Sequence, residues 1–382
     1  MNSNKATGVE MEPLPENLGK TVKVHYGIFF DGTRNHNEEA EKGEKYRALV
    51  DELKAKKVAD GMTDKKAEKE AEKEAKKELN YKASFASKKD RTNVARLEPY
   101  FDKDSDKYIC RHYIEGIGTD EKGNSSLIDQ ADGFGDTGVF YKVQKAIDNI
   151  HVKINGLDDF NKVRAIELNF ELFGFSRGAA AARYFVSQVQ DQLDNVESKL
   201  SPKNVNCVKF TYVGLFDTVS MYGPLGICDK RLNLDAIKDA DYVLHICAGD
   251  DDSSILPLTD IKSAKDDGKG EEIFIPGDHS DIGGGHPNGI YSNISMSIMY
   301  KNANSKINRI AFLSDSIEKS QPIQGEYLKE LVGIKDSIEA LAFSSKSQED
   351  CRSLFSQHYK HLMDKKYIHC SNNTKKRKII NG

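Results

Sequence analysis

Short runs of apolar, β-branched and aromatic residues recur along this chain, each closed by a polar, glycine-bearing turn. Thr21–Phe30 (TVKVHYGIFF) is the first. KYICRHYIEGIG at 107–118, Ile166–Phe173, Cys207–Phe216, Tyr242–Ala248 and Glu272–Pro276 follow. Runs of this length and composition predict buried strands. Between them the spacing changes to that of helices. In Asp90–Asp102 it puts Val94, Leu97 and Phe101 on one face, with Asp90 or Thr92 near the N-cap. Val139–Ile154, the small-residue stretch after Ser176 and Asn293–Ala303 read as further helices. Strands alternating with helices imply α/β architecture: a mostly parallel central sheet covered on both faces.

Residues 38–90 break the pattern. KKAEKEAEKEAKKELN at 65–80 is almost wholly Ala, Glu and Lys, with opposite charges four apart that support an exposed helix. This segment reads as an inserted helical excursion, solvated on its surface, with a lid or membrane-contacting arm as the alternative. Residues 1–20 read as a flexible leader, 21–303 as the α/β domain, and 304–382 as a helical extension packed on it. That extension is expected to hold two or three helices between Ser316 and Met363 and to finish in a loose basic stretch, KKRKIING. The glycine-rich acidic stretch 118–138 is too long for a simple connection, so a functional or mobile loop is expected there. It lacks the spacing of a phosphate-cradling loop.

The chain has 382 residues, enough for one large core or two modest ones. A net charge of −4 gives no support to a nucleic-acid partner. Six cysteines (110, 207, 228, 247, 351, 370) show no C-x-x-C spacing, and several lie within apolar runs. They fit free thiols made in a reducing compartment rather than a disulfide framework. The first 20 residues lack the apolar region of a secretory signal, and no apolar stretch is long enough to span a bilayer.

The candidate chemistry sits where the runs end. Gly174-Phe175-Ser176-Arg177-Gly178 fits G-x-S-x-G, placed between a strand and a helix as a nucleophile elbow requires. Glycines two before and two after the serine let strand and helix approach. The helix N-terminus favours the negative charge that develops in acyl transfer. Asp217 ends the next run, Asp250 and Asp251 the one after, and His279 follows the last. Serine, acid and histidine in that order match the α/β-hydrolase order, in which the histidine takes the serine proton and a carboxylate holds the imidazole. The acid is open among Asp217, Asp250 and Asp251, with Asp281 as a further candidate that instead orients the histidine loop. Asp31-Gly32-Thr33-Arg34-Asn35 after the first strand is either an oxyanion-donating loop or an Asx-turn capping that strand. Arg177 has two readings, an anion contact or, preferred, an ion pair. His25, His112 and His245 read as core histidines. Asp278, His279, Asp281 and His286 have metal-compatible side chains but no full second ligand set, so no metal is expected.

Five motifs, in order, carry a resemblance: FFDGTRN, TNVARL, GFSRGAAAAR, GLFDTV and PGDHSDIGGG. Together, over roughly residues 22–300, they resemble a family of α/β-hydrolase domains. That family includes the type VI secretion phospholipase effectors of the first lipase-effector class. The resemblance implies Ser176, Asp217 and His279 as the triad and settles the acid on Asp217. It implies an A1- or A2-type phospholipase acting on membrane phospholipid, with no required cofactor. It further implies synthesis in the bacterial cytoplasm without a signal peptide and delivery into the envelope, the periplasm, of a rival cell. A cognate immunity protein and a secretion-needle tip carrier would be partners. CAGDDDSSILP at 247–257 stands where the family shows a longer acidic-arginine motif, the insert at 38–90 lies outside the shared pattern, and the last 80 residues are short for a membrane-anchoring region. The competing expectations are a soluble carboxylesterase acting on small esters and a non-catalytic interaction module.

Overall fold

The computed structural model describes residues 21–101, 108–124, 135–156, 165–193, 205–222, 227–228, 230–251, 256–286, 291–307, 336–358 and 377–380. The expected leader, the centre of the acidic loop and most of the expected helices after residue 316 lie outside them.

Among the described residues, six strands form one parallel sheet: β1 (Thr21–Phe30), β2 (Ile109–Ile114), β3 (Ala165–Phe175), β4 (Val205–Phe216), then β7 (Val243–Ala248) and β9 (Gly270–Ile275), in the order β2-β1-β3-β4-β7-β9. Short strands β5 (Met221–Tyr222) and β6 (Ile227–Cys228) pair with each other outside this sheet. β8 (Leu258–Thr259) pairs in parallel with β10 (Ile379–Ile380). The six long runs are thus the six sheet strands, within a residue or two at most ends. The strand order reverses at β1, and in open α/β sheets ligands bind beyond the strand carboxyl ends near such a reversal.

Strand residues alternate between two cores. Val24, Tyr26, Ile28 and Phe30 of β1, with Ile166, Leu168, Phe170 and Leu172 of β3, face helices Val139–Asn155 and Arg177–Leu193. Phe29, Phe173 and Phe175 face the opposite layer, where helices Asn93–Leu97 and Ser292–Lys306 pack. Phe29 and Phe173 stack at 4.9 Å. Ile338, Ala342, Cys351 and Phe355 join this second core. Thr92, not Asp90, caps the short helix after the insert by accepting the Ala95 N–H, and Val94, Leu97 and Phe101 are buried as the spacing requires.

The charged insert is an antiparallel helical hairpin, α1 (Asn37–Ala59) and α2 (Asp64–Glu78). Ala67, Ala71 and Ala75, spaced four apart, are fully buried along the seam, while Lys54 pairs with Asp64 and Lys57 with Glu74 at its edges. A methyl stripe lets two otherwise polar helices approach closely, which explains how a segment with so few large apolar residues packs. Arg47 ties the base of the hairpin to the Ser87 and Lys89 carbonyls and to Asp90, and Glu44 holds Arg91.

Charge is also buried on the first face, where Lys142 and Lys145 both donate to Glu115. Burial alone would raise the Glu115 carboxyl, but Lys142 and then Lys145 hold it at about 2, against an ordinary 4.5. Burial also draws Lys142 down to about 8, so both partners carry charge at neutral pH. A depressed folded-state carboxyl contributes stability above its unfolded value, and that contribution fades as pH falls toward about 2. In urea melts, Glu115→Gln is therefore less stable than wild type at pH 6, and the gap narrows from pH 4.5 downward. A gap independent of pH would contradict this linkage.

Candidate active site

Ser176 occupies the turn between β3 and the helix Arg177–Leu193 with φ 58, a left-handed conformation unusual for a residue with a side chain. The turn is held on both sides: the Ser176 N–H donates to the Phe216 carbonyl, and the Ser176 carbonyl accepts from Val219 and Ala179. The flanking glycines serve close approach. A Cβ on Gly174 would lie 2.6 Å from the Ala179 Cα, and one on Gly178 would lie 2.3 Å from the Asp31 carbonyl oxygen. The helix therefore starts pressed against the end of β1.

Asp217 follows β4, also with positive φ (42), and its carboxylate is fully buried. His279 is the first residue of a short helix, His279–Gly283, that the sequence pattern reads as loop. Asp278 caps this helix, accepting from Ser280 and Asp281 N–H, while the Asp281 side chain accepts the Asp278 N–H in return. His279 Nδ1 lies 2.5 Å from Asp217 Oδ2, and its Nε2 lies 2.9 Å from Ser176 Oγ. With Nδ1–H donated to the carboxylate, Nε2 is the acceptor that faces the hydroxyl. The Phe175 ring lies 4.7 Å from the imidazole, and Gly283 has no side chain where a Cβ would enter that ring.

The alternative acids are placed elsewhere. Asp250 accepts the Gly277 N–H at 2.8 Å, Asp251 lies 3.5 Å from an arginine, Arg377, and Asp281 belongs to the helix cap. Asp31 turns its carboxylate inward, where Thr92, Tyr113 and the Gly32 N–H donate to it. Burial pushes this carboxyl up, opposed by those hydrogen bonds. Its side chain thus anchors the loop, in keeping with the turn reading, while the Asp31 backbone lies under Gly178. Arg177 Nε donates to Thr33 Oγ1 at 2.7 Å, joining the loop to the serine helix. Arg34 and Lys89 lie 4.1 and 5.2 Å from the centre of the half-exposed Phe85 ring.

Two residues support the acid: one read from the sequence only as a core histidine, the other placed in the end expected to be loose. His245, fully buried in β7, accepts the Thr218 N–H at Nε2 and faces Glu272 at 3.0 Å, which fixes the backbone beside Asp217. A histidine inside an apolar strand gave no local sign of this. Arg377, in the stretch expected to be loose, is instead buried with Nη1 at 2.8 and 2.7 Å from the two Asp217 oxygens. Burial would raise Asp217, yet the Arg377 charge and then His279 hold it well below the ordinary carboxylate range. Ligand atoms of Asp217, Asp251 and His279 lie within 4.8 Å of one another, as do those of Asp278, Asp281 and His286. The first group already carries the Arg377 cation, and the second is engaged in the helix cap.

The parallel sheet with flanking helices, and a serine on a strained strand-to-helix turn at its carboxyl edge, make this an α/β-hydrolase-like fold. Searches with family models and against curated proteins find no match. Among solved structures, the chain is similar to the Tle1 effector bound to the VgrG spike of the type 6 secretion system, at 25% identity with a TM-score of 0.43, over 70% of this chain and 52% of that one. It is also similar to an uncharacterized protein from Pseudomonas aeruginosa, at 15% identity and a TM-score of 0.49, over 88% and 53%. The chain spans about half the length of each. No helix among the described residues is long and apolar enough to cross a membrane.

Proposed function

We propose that this protein is a serine hydrolase that cleaves acyl esters of membrane phospholipid. The observation that carries the reading is the continuous line from Ser176 Oγ through His279 to buried Asp217. His279 Nε2 takes the hydroxyl proton as Oγ attacks the ester carbonyl, then returns it to the leaving alcohol, and a water repeats the cycle to release fatty acid. The Arg177 N–H, at the start of the helix, and the Thr33 N–H, on the neighbouring loop, are the donors proposed for the oxyanion. No step calls for a metal or cofactor.

Phospholipid is preferred to a small neutral ester because the five ordered sequence motifs resemble those of phospholipase effectors. The five ordered sequence motifs extend the proposal to an antibacterial effector that travels on a secretion-needle tip carrier, acts in a target-cell envelope and is matched by an immunity protein. Whether an A1 or A2 ester is cut follows from the lysolipid isomer released.

The test uses vesicles of phosphatidylethanolamine and phosphatidylglycerol, together with a fluorophosphonate probe. Wild type is expected to release fatty acid and to label covalently, and Ser176→Ala to do neither. Turnover of short p-nitrophenyl esters without lipid cleavage would reduce the reading to a carboxylesterase. A folded wild type that neither labels nor turns over any ester would leave a non-catalytic module.

A further inference from the structure

The acid of the proposed triad is gripped by a buried arginine as well as by His279. Arg377 Nη1 donates to both carboxylate oxygens of Asp217, its Nε donates to the Leu256 carbonyl at 2.7 Å, and its Nη2 lies 3.5 Å from Asp251 Oδ2. The Ala248 N–H adds a bond to Asp217 Oδ1 at 2.9 Å. The side chains of Arg377 and Asp217 are both 0% exposed. Arg377 lies 160 positions beyond Asp217, and a small parallel pairing delivers it. β10 lies along β8, with Leu258 and Asp260 N–H donating to the Lys378 and Ile380 carbonyls. β8 is tied in turn to the acid loop, because the Thr259 N–H donates to the Thr218 carbonyl and the Ser220 N–H to Thr259 Oγ1.

Two physical needs meet here. Asp217 and Asp251 are carboxylates in a water-poor setting, where neighbouring like charges drive one of them to bind a proton. A protonated Asp217 neither holds the histidine tautomer nor stabilises an imidazolium. A guanidinium between them keeps Asp217 ionised. His279 and the Ala248 N–H hold one oxygen each, and the guanidinium adds a further bond to both. The planar, weakly hydrated guanidinium suits such buried recognition better than a lysine does.

We propose that Arg377 is a positioning residue for the triad acid, so that the segment 377–380 is part of the active-site framework. This rests on the serine-hydrolase reading above. Arg377 touches no substrate. It acts by fixing Asp217, which fixes His279. The charged and titratable groups that face Asp217 are His279 from the short helix after β9, Arg377 from its own segment, Cys247 from β7 and Asp251, whose carboxylate lies within 4.8 Å of Asp217 and His279 and 3.5 Å from Arg377 Nη2.

The experiment compares wild type, Arg377→Gln and Arg377→Lys on the same lipid vesicles, with kcat, KM and pH profiles measured on chains first shown to be folded by circular dichroism. Arg377→Gln is expected to lower kcat by about 10- to 100-fold with KM changed less than about threefold, the size of a geometric misplacement. The acid limb of its kcat/KM profile is expected to move to higher pH. Loss of the cation favours protons both on Asp217 and on the histidine it faces. Arg377→Lys, which restores charge without the fork, is expected to recover most of the rate and to return the limb toward wild type. If Arg377→Gln matches wild type in rate and pH limb, the proposal is overturned. It is also overturned if both variants lose rate equally with the limb unmoved, because that is what a purely structural anchor would do. Should Arg377→Gln fail to fold, Arg377→Lys decides through its alkaline side: a lysine there can lose its charge, so a new fall in kcat at high pH that wild type lacks is expected, and a folded Arg377→Lys without that fall overturns the proposal. A wild type inactive on every ester would instead defeat the underlying reading.

Discussion

Asp217→Asn is expected to lower kcat on the order of 10⁴-fold, with KM little changed, and also to cost stability, because Arg377 loses its buried counter-charge. The reason lies in the partners of each oxygen. Oδ1 accepts from the Ala248 N–H and Arg377 Nη1, so an asparagine must present its carbonyl oxygen to those donors. Its amide NH₂ is then left facing His279 Nδ1, in place of an oxygen at 2.5 Å, and also facing the Arg377 Nη1 donor, in place of an acceptor at 2.7 Å. An amide that donates makes Nδ1 an acceptor and puts the imidazole proton on Nε2, where it points at Ser176. The histidine then has no lone pair with which to take the hydroxyl proton. Steady-state turnover and probe labelling should fall together in chains shown to be folded by circular dichroism, with the melting temperature lowered by the loss of the buried pair. A loss under about tenfold would mean that Asp217 does not set the tautomer, and the acid would have to be sought elsewhere.

The second large effect is on stability. Gly178→Val is expected to destabilise the protein by about 3–5 kcal/mol, at the upper end of single substitutions. The Cβ it introduces would sit 2.3 Å from the Asp31 oxygen and 2.4 Å from the Phe30 oxygen, and both are backbone atoms held in β1 and its loop. Neither can turn aside as a flexible side chain would, so the serine helix must lift from the sheet. Thermal unfolding followed by circular dichroism should show a Tm lowered by roughly 10 °C, or no soluble chain. Gly156→Ala provides the contrast. A Cβ there meets nothing nearer than the Val152 oxygen at 3.4 Å, and the expected change stays within about 1 kcal/mol. Equal melting of wild type and Gly178→Val would show that the helix has room the close approach denies.

Much of the sheet and the elbow is legible along the chain because their causes are local. Strand runs betray themselves by apolar continuity, since a parallel strand is buried on both faces. The elbow is legible because Gly174 and Gly178 must lack side chains within five consecutive residues. His279 is legible by position, as the histidine after the last strand, although its short helix is not: Asp278 and Asp281 cap it mutually, a pattern hidden inside a glycine-rich stretch. Apart from the sequence resemblance, composition and spacing leave the acid open, because Asp217, Asp250 and Asp251 all end strands. Only the three-dimensional arrangement puts Asp217 against the imidazole while Asp250 holds the Gly277 amide.

The amino-acid sequence by itself determined the strands, the turn chemistry at Ser176 and the charged helical insert, all of which depend on neighbours within a few residues. Tertiary structure decided, where composition and spacing did not, which carboxylate meets His279, how an alanine seam seats the hairpin, and that the stretch read as a loose basic end places Arg377 against the acid. A buried guanidinium between two carboxylates leaves no local trace. Its partners are set by how β8, β10 and the end of β4 come together in space, and the charges meet only after the strands have paired.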